Sequence, residues 1–400
     1  MATSNRESLQ TARQSVRVFC DYFLPSQRAG GPAKSLHGIF SALGGECDFE
    51  VITRDRDRGM ARAYDDVEPG RQQQCYSASV LYTPPSIGRL WVIWRALSQR
   101  RANVIYLNSF FSPIFTIFPL TLLRLRFVAR PSKVIVAPRG ELAESALKIK
   151  SPRKQSYLRL AKMLGLYKNA VWHVESEKER REVERALGVH LNIDAAQTEV
   201  LVAPPPLADI PRLPGKRKAQ GHLKIVFLSR ISRIKNLQFA IEVVGGLSGD
   251  VEFDIFGPFP RAEDAAYWRE CQVNLSELPD NISVRYCGEV ERDEVVATLR
   301  PYHLFILPTL GENYGHVIVE ALSAGCMLCI SDQTPWRALE DKRIGWDIPL
   351  QQTERFREVL QHCVAMDDQE FTAHTSSIQY YLEHTISGAT VHSQNLRLFT

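Results

Sequence analysis

The sequence predicts an α/β protein of two doubly wound domains, each a sheet of parallel strands joined by crossover helices. Short apolar runs rich in β-branched residues alternate with segments of helical periodicity along the 400 residues. A strand, a helix and a strand in succession favour parallel pairing with helices packed on the sheet. The alternation stops in a stretch with five prolines, residues 200–222, and then begins again. Chains of this length usually form more than one core.

The first half predicts five strands, each followed by a helix or a loop. The charged helix after the fifth strand begins at Ser176, whose S-x-x-E spacing to Glu179 is typical of a capping box, and stops at Gly188. The predicted strands are 15–23, 49–55, 102–109, 132–140 and 170–176, and the other predicted helices are 31–45, 88–99, 110–123 and 152–165.

The second half repeats this order. Its predicted strands are 223–230, 251–258, 282–290, 303–309 and 327–332, and its predicted helices are 236–246, 262–273, 291–300, 315–324 and 353–366. The predicted domains are therefore an N-terminal Rossmann-like domain, residues 1–205, and a C-terminal one, residues 206–375. Residues 376–400 form a helical tail whose place in the fold the sequence leaves open.

Charge excludes a nucleic-acid-binding surface over the whole protein, because the formal net charge is only +4. One local asymmetry stands out: residues 124–168 hold twelve Lys or Arg against two Glu. A basic stretch of this kind binds an anionic acceptor such as a lipid diphosphate, lies against acidic head groups, or is a solvated helix. All three interpretations stay open.

The protein is expected in the cytoplasm. The N-terminal residues contain no apolar signal-peptide core, and the eight cysteines are scattered through apolar segments, which is typical of reduced, buried thiols. Cys326 and Cys329 have no partner pair nearby, so no zinc site is predicted. The most apolar window, Phe110 to Leu123, is too short to cross a bilayer; it forms either a buried helix or an element on a membrane surface.

The segment TLGENYGHVIVEALSAG, residues 309–325, carries the most chemical information. It follows an apolar strand and enters a helix, so Glu312 lies at the carboxyl end of a strand, where doubly wound sheets bind ligands. Gly311 and Gly315 permit close backbone approach, and the start of the helix offers N–H groups to a phosphate. Glu320 lies about one turn beyond His316. Two ordinary acids on a helix are the alternative, which the flanking strand and glycines disfavour.

Arg230 and Lys235 occupy the equivalent loop after the first strand of the second half. The Arg fork and the Lys point charge are both suited to a diphosphate. A leaving nucleoside diphosphate gains negative charge in the transition state, so fixed cations lower the barrier. A solvated basic loop is the alternative interpretation of these residues alone.

Two loops of the first half also follow strands. Gly30 and Gly31, in the loop that begins at Arg28, offer backbone N–H groups to an anion, although the spacing matches neither a dinucleotide-binding nor a P-loop fingerprint. Arg139 and Glu141 stand in the loop APRGEL. Basic residues that follow this second loop could help to bind an anionic acceptor, or could be a solvated helix; they are Lys148, Lys150, Arg153 and Lys154.

Together these segments resemble family 4 of the glycosyltransferases, the group 1 enzymes of GT-B architecture, in which two Rossmann-like domains face a central cleft. The resemblance covers nearly the whole chain, including Gly257 in DIFGP and the loop Ser331-Asp332-Gln333. It implies retaining, metal-independent transfer from a nucleotide sugar, with the donor phosphate taking the acceptor proton and no cofactor. It also implies the following contacts: Arg230 and Lys235 to the diphosphate, Glu312 with the amides of Asn313, Tyr314 and Gly315 to the sugar, His316 to the donor, Glu320 to the ribose, and Gly30 and Gly31 to the phosphate.

One position departs from the family pattern. Many members carry a His after the strand that ends here at Pro138-Arg139-Gly140-Glu141. The APRGEL form resembles a subgroup associated with exopolysaccharide or lipid-linked oligosaccharide assembly. The resemblance therefore leaves open whether Arg139 or Glu141 contacts the sugar or the acceptor.

The sequence thus predicts a cytoplasmic glycosyltransferase that adds a sugar to a glycan acceptor linked to a lipid diphosphate, in polysaccharide biosynthesis. Peripheral association with an anionic inner membrane face through residues 124–168 belongs to the same prediction. A nucleotide-sugar epimerase on the same fold and a non-catalytic sugar-nucleotide-binding protein are the rival hypotheses, and a phosphorylase lacks a recognisable pyridoxal phosphate lysine. No metal site and no nucleic-acid partner are predicted.

Overall fold

The computed structural model describes residues 13–26, 30–57, 59–99, 102–148, 151–207, 212–213, 215–259 and 261–400. The chain divides into two compact units. Unit 1 comprises Met1–Val174, Arg180–Ala208 and His392–Thr400, and unit 2 comprises Glu175–Glu179 and Asp209–Val391. The chain therefore passes between the units more than once, and its C-terminal residues return to unit 1. The predicted domain limits, 1–205, 206–375 and 376–400, are not tested by this division and remain predictions.

Unit 1 is built on an eight-stranded sheet, in which all neighbours are parallel except β3 and β4. The strand order is β3-β4-β2-β1-β5-β6-β7-β8. The polar hairpin β3–β4 and the short β8 were not predicted, because a four-residue QQQC strand has no apolar alternation. The strands are β1 (Gln14–Phe19), β2 (Cys47–Arg54), β3 (Gln72–Cys75), β4 (Ala78–Thr83), β5 (Val104–Leu107), β6 (Lys133–Val136), β7 (Val171–Val174) and β8 (Val200–Val202).

The helices α1 to α5 belong to unit 1, and α6 begins in the segment Glu175–Glu179 of unit 2 and continues into unit 1. They are α1 (Gly31–Leu43), α2 (Gly88–Gln99), α3 (Phe118–Arg124), α4 (Glu144–Lys148), α5 (Ser151–Leu164) and α6 (Glu177–Ala186), with π-helical turns at Pro113–Ile117 and Leu187–Leu191. The predicted capping box is confirmed at its first bond, since the Ser176 hydroxyl accepts from the Glu179 N–H at 3.2 Å. The Glu179 carboxylate in turn accepts from the Glu175 N–H at 2.8 Å.

The apolar window 110–123 is a buried element. Ser112 caps its first turn, accepting from the Phe115 N–H at 3.1 Å, and Pro113 occupies the first position, where a missing N–H costs nothing. Phe110, Phe115 and Leu120 are buried in a core cluster shared with α2 and α5. The interpretation as a buried helix is therefore confirmed over this window.

Unit 2 contains a six-stranded sheet in the order β11-β10-β9-β12-β13-β14, and every neighbouring pair is parallel. The five predicted strands are present, and β14, after an irregular loop, was not predicted. The strands are β9 (His222–Leu228), β10 (Asp250–Phe256), β11 (Ile282–Gly288), β12 (Leu304–Leu307), β13 (Met327–Ser331) and β14 (Gly345–Ile348).

Seven helices complete the chain. They are α7 (Leu237–Val244), α8 (Ala262–Leu275), α9 (Val295–Leu299), α10 (His316–Ser323), α11 (Thr353–Ala365), α12 (Asp368–Tyr381) and α13 (Ala389–Phe399). The end of α13 packs on unit 1, where Leu398 and Phe399 join the core beside α1. Within the residues described above, no helix is both long and apolar enough to cross a membrane.

Each sheet has one point at which the order of strand addition reverses. In unit 1 it lies between β1 and β5, and in unit 2 between β9 and β12. At such a point the loops leaving the two strands diverge to opposite faces and leave a crevice at the carboxyl edge, where doubly wound folds bind ligands. These two crevices are therefore the places to look for function.

Candidate active site

The crevice of unit 2 is formed by the loop after β9 and the loop after β12. The two loops are joined by backbone and side-chain hydrogen bonds. The Leu310 N–H donates to the Ile234 carbonyl at 2.8 Å, and the Thr309 hydroxyl donates to the same oxygen at 2.9 Å. Lys235 and Glu312, which the sequence predicted separately and which are 77 positions apart, are therefore brought to one edge of the sheet.

Lys235 and Glu312 form an ion pair across this crevice, between the Lys Nζ and the Glu Oε2. Their side chains are 14% and 17% exposed, so both groups are shielded yet reachable from solvent. The Glu312 N–H donates to the Gln333 carbonyl at 3.2 Å, which ties the loop after β12 to the loop after β13. The pair places a cation and a hydrogen-bond acceptor side by side, as a diphosphate and a sugar hydroxyl require.

Arg230 stands at the mouth of the same crevice. Its side chain is exposed, and within the described part of the chain it makes no hydrogen bond or ion pair. Its backbone is fixed by Gly257 at the end of β10: a Cβ there would lie 1.8 Å from the Ser229 carbonyl oxygen, and φ is +138°. Only glycine permits this approach. The guanidinium is thus carried on a rigid loop with its five donors available.

The start of α10 faces the same edge. Gly315 is the N-cap residue, with φ +86°, and no side chain caps the helix. Among the described residues, the N–H groups of Tyr314 and Gly315 donate to no protein acceptor. The Tyr314 ring is buried against Trp336, whose indole N–H donates to the Tyr314 carbonyl. Tyr314 therefore offers its backbone rather than its hydroxyl, and the helix start offers N–H groups to an anion.

His316 and Glu320 lie in α10, both half-buried. The His316 ring stands 5.1 Å from the Tyr314 ring, centroid to centroid. Glu320 lies one helical turn further along, as the spacing predicted. The structure thus groups the predicted donor residues of unit 2 along one loop and the first turns of one helix.

Residues 175–179, which belong to unit 2, were not predicted to take part in this site. Lys178 Nζ donates to the Gln333 carbonyl at 2.8 Å and to the Glu312 carbonyl at 3.2 Å. The Asn313 amide nitrogen donates to the Glu175 carboxylate at 3.2 Å, while its buried amide oxygen has no hydrogen-bond partner among the described residues. A lysine in an amphipathic helix carries no sequence signal for such a role, because its partners are backbone carbonyls far along the chain.

The crevice of unit 1 contains a cavity of about 460 Å³ whose lining includes Asp21, Arg54, Asn108, Arg139 and Glu141. Arg139 has φ +54° and donates to the Asn108 side chain at 2.8 Å and to the Tyr106 hydroxyl at 2.7 Å. Its guanidinium is therefore held in place at the wall of the cavity. The Arg54 guanidinium pairs with Asp21, at 2.6 Å.

Glu141 is turned towards the backbone of the neighbouring loop. Its carboxylate accepts from the Phe111 N–H at 3.0 Å, from the Phe110 N–H at 2.5 Å and from the Ser109 hydroxyl at 3.0 Å. Burial raises the pKa of Glu141, and these hydrogen bonds oppose that shift. Three donors already contact the Glu141 carboxylate, which therefore stabilises the neighbouring loop, while the Arg139 guanidinium is held at the cavity wall by Asn108 and Tyr106.

Gly30 and Gly31 lie at the carboxyl end of β1, at the start of α1. Gly30 has φ +63°, and a Cβ there would meet nothing within 4 Å. Arg28, Lys150 and the side chain of Lys148 lie outside the described residues. Arg153 is exposed, and Lys154 donates to the Ala146 carbonyl at 2.6 Å while its Nζ stands 4.9 Å from the centre of the Phe111 ring.

No group of three or more His, Cys, Asp or Glu side chains within the described ranges could hold a metal ion. Cys326 and Cys329 are buried, and burial raises the pKa of both thiols. The Cys326 thiol points to the carbonyls of Leu299 and Tyr302, both at 3.3 Å.

Known proteins resemble this chain in two ways. Residues 222–365 match the family model described as "Glycosyl transferases group 1". No curated protein sequence is significantly similar to the chain. Among solved structures, HepE of Anabaena in complex with UDP-glucose superposes with a TM-score of 0.66 at 14% identity, covering 96% of this chain and 99% of that one.

Two further structures show the same fold. Sucrose-phosphate synthase from Thermosynechococcus elongatus gives a TM-score of 0.67 at 14% identity, over 97% of this chain and 98% of that one. WaaG, a glycosyltransferase involved in lipopolysaccharide biosynthesis, gives 0.61 at 13% identity, over 96% and 99%. The predicted two-domain α/β fold and the predicted resemblance are confirmed: the chain has the GT-B fold, and its residues 222–365 match the group 1 glycosyltransferase family model.

Proposed function

We propose that the protein is a retaining glycosyltransferase that moves a sugar from a nucleotide sugar to a glycan acceptor, without a metal ion. We further propose that the acceptor is linked to a lipid diphosphate, that the reaction serves polysaccharide biosynthesis, and that it takes place in the cytoplasm at the inner membrane face. Basic residues 124–168 are the proposed contact with that membrane. The rest of the proposal concerns the crevice of unit 2.

One observation carries the proposal: Lys235 and Glu312 are paired at the β9–β12 crevice with the exposed Arg230 on the same loop as the lysine. Arg230 and Lys235 would bind the donor diphosphate, and the cations would stabilise the charge that develops on it as it leaves. Glu312 would accept hydrogen bonds from sugar hydroxyls. Glu320 would bind the ribose, and the N–H groups at Asn313, Tyr314 and Gly315 would contact the sugar or its phosphate.

In the proposed step, the bond between the anomeric carbon and the diphosphate oxygen breaks as the acceptor oxygen attacks the same face of the sugar. The donor phosphate takes the acceptor proton, so atoms and charges balance without a separate base. A covalent glycosyl intermediate would need a carboxylate at the anomeric carbon. Glu312 is paired with Lys235, which favours a binding role for it.

Unit 1 is proposed to hold the acceptor. Arg139 at the wall of its cavity is suited to an anionic group such as a lipid diphosphate, because a guanidinium binds phosphate through two parallel hydrogen bonds. Gly30 and Gly31 would offer backbone N–H groups to the donor phosphate, as the resemblance implies. Glu141 would act through the conformation of the loop that contains Ser109.

Uridine nucleotides are the first ligands to test. HepE of Anabaena is described in complex with UDP, with UDP and glucose, and with UDP-glucose, and TarM of S. aureus with UDP. The likeness to these proteins is one of fold, at 13–15% identity, so GDP and ADP belong in the same experiment.

The test is a calorimetric titration of the native protein with UDP, GDP and ADP, in buffer containing a metal chelator. One nucleotide should bind, and Arg230→Ala should weaken it by about 10- to 100-fold, the loss expected for a charge-assisted hydrogen bond to phosphate. Glu320→Ala should weaken it as well. Arg233→Ala is the matched control, since Arg233 belongs to the same loop but pairs with Glu270. Absence of binding by all three nucleotides, with and without metal, would overturn the proposal.

The rival hypotheses are separated by product analysis. With donor and no acceptor, an epimerase releases an isomerised nucleotide sugar, whereas a transferase does not. A non-catalytic binding protein would bind the nucleotide and turn over nothing with any acceptor tried. With an α-linked donor, retention predicts an α-linked product, which nuclear magnetic resonance of the new anomeric proton identifies.

A further inference from the structure

A chain of hydrogen bonds runs from the wall of the unit 1 cavity into the core of the sheet. Arg139 at the wall donates its Nη2 to the Tyr106 hydroxyl at 2.7 Å. The Tyr106 hydroxyl lies 2.5 Å from the His173 Nδ1, and the His173 Nε2 lies 2.8 Å from the Ala203 carbonyl oxygen. A side chain that lines the cavity is thereby linked, through two further side chains, to the backbone just after β8.

The parallel register of three strands brings these residues together. Tyr106 lies in β5 and His173 in β7, and Arg139 follows β6, which runs between them. Tyr106 pairs with Ile135 of β6, which in turn pairs with Val171 of β7. His173, two positions further along β7, therefore has its side chain on the same face of the sheet as Tyr106. The contact joins residues 67 positions apart, which the sequence pattern does not reveal.

The inner part of this chain is buried. Tyr106 is 0% exposed and His173 is 1% exposed. The Tyr106 ring stands 5.8 Å from the His173 ring and 6.0 Å from the Phe399 ring, centroid to centroid, in the core cluster beside α1. Polar groups at this depth are stable only with hydrogen-bond partners, so the removal of one member takes a partner from the next.

The direction of the chain follows from its two ends. A carbonyl oxygen only accepts, so the His173 Nε2 donates to Ala203. A guanidinium only donates, so the Tyr106 oxygen accepts from Arg139. The neutral His173 ring then presents an acceptor at Nδ1, to which the Tyr106 hydroxyl donates. The Ala203 carbonyl thus sets the tautomer of His173, and this tautomer keeps an oxygen lone pair of Tyr106 directed to Arg139.

Arg139 is also held by its own loop. Its Nε donates to the Asn108 side-chain oxygen at 2.8 Å, and the Asn108 amide nitrogen donates to the Pro32 carbonyl at 3.4 Å. The backbone of Arg139 has φ +54° and is followed by Gly140 at φ +77°. A left-handed residue with a long side chain is uncommon and persists where surrounding contacts impose it, often at ligand sites. The fold therefore sets both the backbone and the guanidinium of Arg139.

A guanidinium held in one orientation favours one class of ligand. A mobile arginine loses rotamer freedom when it binds, whereas an ordered one has already lost it. Two parallel hydrogen bonds to phosphate oxygens require a particular orientation of the guanidinium plane, and a single hydrogen bond to a sugar hydroxyl tolerates many. The chain therefore favours a phosphate-containing group over a neutral sugar beside Arg139.

We propose that Tyr106 and His173 are positioning residues for the acceptor, which orient the Arg139 guanidinium to bind a diphosphate group in the unit 1 cavity. The inference rests on the proposed function, in which Arg139 contacts an anionic acceptor. Arg139 and Asn108 line the cavity, whereas Tyr106 and His173 lie in the buried core. His173 acts through Tyr106, and Tyr106 acts through Arg139.

The test is a calorimetric titration of the full chain with geranyl diphosphate, a soluble prenyl diphosphate, in the presence of saturating nucleotide. Arg139→Ala should weaken binding of this probe by about 10- to 100-fold. Tyr106→Phe should weaken it by about threefold to tenfold, because the loss of one hydrogen bond loosens the guanidinium without removing it. Tyr302→Phe is the control: it removes a buried hydroxyl in unit 2, which donates to Asp254, and should leave binding of the probe unchanged.

Two further readouts separate positioning from a general loss of stability. In the Arg139→Ala background, Tyr106→Phe should change the affinity for geranyl diphosphate by less than about twofold, because the residue through which it acts is gone. His173→Leu should weaken binding about as much as Tyr106→Phe. His173→Gln should restore most of this loss, since its amide can accept from Tyr106 and donate to Ala203. Urea denaturation shows which variants are folded.

Several results would overturn the inference. They are an absence of geranyl diphosphate binding by the native protein, unchanged affinity in Tyr106→Phe, equal losses from Tyr106→Phe with and without Arg139, or no recovery in His173→Gln. The nucleotide titration decides the proposed function separately. If no nucleotide binds, the same variants titrated with geranyl diphosphate alone still decide whether Tyr106 and His173 act through Arg139.

Discussion

The two crevices of this molecule share a topology and differ in how their charges are arranged. In unit 2, one loop carries Arg230 and Lys235, and Glu312 from the neighbouring loop pairs with the lysine. In unit 1, Asp21 pairs with Arg54, while Arg139 is fixed by the neutral groups of Asn108 and Tyr106. The same reversal of strand order therefore supports a site with surplus positive charge in one unit and a nearly balanced polar cavity in the other.

In the proposed function, this difference corresponds to a division of roles, with the nucleotide bound by unit 2 and the acceptor by unit 1. A nucleotide diphosphate is constant in charge and shape, so it suits a rigid loop with fixed cations. The loops of unit 2 are joined through Ile234 and Gln333 and are closely packed at Gly257. An acceptor varies, so it suits a cavity lined by donors and acceptors of several kinds. The predictions below test this division.

The largest effect is expected at the Lys235–Glu312 pair. Glu312→Gln should lower kcat by about 100- to 1,000-fold, because it removes the charged acceptor for the sugar and frees Lys235 from its partner. Nucleotide affinity should change much less, since the diphosphate still meets both cations. Steady-state kinetics with saturating donor measures the first quantity and calorimetry the second.

Glu270→Gln is the matched control, because it breaks an ion pair with Arg233 on the same side of unit 2. This exposed pair should contribute little to activity. If Glu270→Gln and Glu312→Gln lower kcat equally, the loop is being disturbed as a whole, and the assignment of the sugar contact to Glu312 is lost.

The second prediction concerns two glycines with positive φ, Gly257 directly after β10 and Gly30 directly before α1. Gly257→Ala should destabilise the protein by about 3 kcal/mol or more, since its Cβ would lie 1.8 Å from the Ser229 carbonyl and φ is +138°. Gly30→Ala should cost less, about 1–3 kcal/mol, because its φ of 63° with ψ of −150° is strained for alanine but nothing lies within 4 Å of the added Cβ. Urea denaturation of both variants provides the comparison.

Gly257→Ala should also weaken nucleotide binding, because the added Cβ would displace the Ser229 carbonyl group, which is bonded to the Arg230 nitrogen. Gly30→Ala should leave nucleotide affinity unchanged if unit 2 alone provides the diphosphate cations. Equal stability losses at the two positions would show that the loop after β9 yields easily, contrary to the rigid arrangement described above.

The parts of the fold that the sequence predicts are those in which local pattern and buried position agree. Four of the five predicted strands of unit 2, namely β9, β10, β12 and β13, are apolar runs with a neighbouring strand on each side, whereas the fifth, β11, is a partly exposed edge strand. The polar strand β3 and the short strands β8 and β14 are missing from the prediction, because each of them depends on pairing with a neighbour rather than on its own pattern.

The residues of the candidate site also differ in how far the sequence alone reveals them. Arg230, Lys235 and Glu312 are recognisable because each follows a strand in a glycine-containing or basic loop. Lys178 is not recognisable, because it contacts backbone carbonyls 134 and 155 positions away. The sequence also could not decide whether Arg139 or Glu141 contacts the ligand, because the two residues are only two positions apart. The structure distinguishes them, since the glutamate is occupied by backbone N–H groups and the arginine by side-chain oxygens.

The third prediction therefore concerns Arg139. Arg139→Ala should raise the KM for the acceptor by about 10- to 100-fold and leave the affinity for the nucleotide unchanged, because it removes a fork of donors from the unit 1 cavity alone. Arg153→Ala, at an exposed position of α5 in the same basic stretch, should have little effect on either quantity. Initial rates at varied acceptor concentration measure the difference. A matching loss of nucleotide affinity would contradict the division between the units.

The last prediction concerns a difference in acid sensitivity between the units. In unit 2, burial lowers the pKa of His303 to about 4. Its Nδ1 accepts from the Lys224 N–H at 3.1 Å and its Nε2 donates to the Arg217 carbonyl at 3.2 Å, so the neutral ring satisfies both contacts. The unfolded chain binds the proton at higher pH. Neutral His303 therefore contributes to the free energy of unfolding above about pH 6.5. This contribution should fall by roughly 2–3 kcal/mol as the pH drops towards 4.

Unit 1 has the opposite case in Glu141, whose pKa is raised by burial. Its contribution to stability is present below the usual glutamate range and is lost as the pH rises through the raised pKa. Acidification from neutral pH should thus loosen unit 2 before unit 1. Hydrogen exchange of peptides from each unit, measured between pH 7 and pH 4 after correction for the intrinsic rates, tests this order. His303→Gln should abolish the early loss in unit 2, and if the native protein and this variant lose protection together, His303 is not its cause.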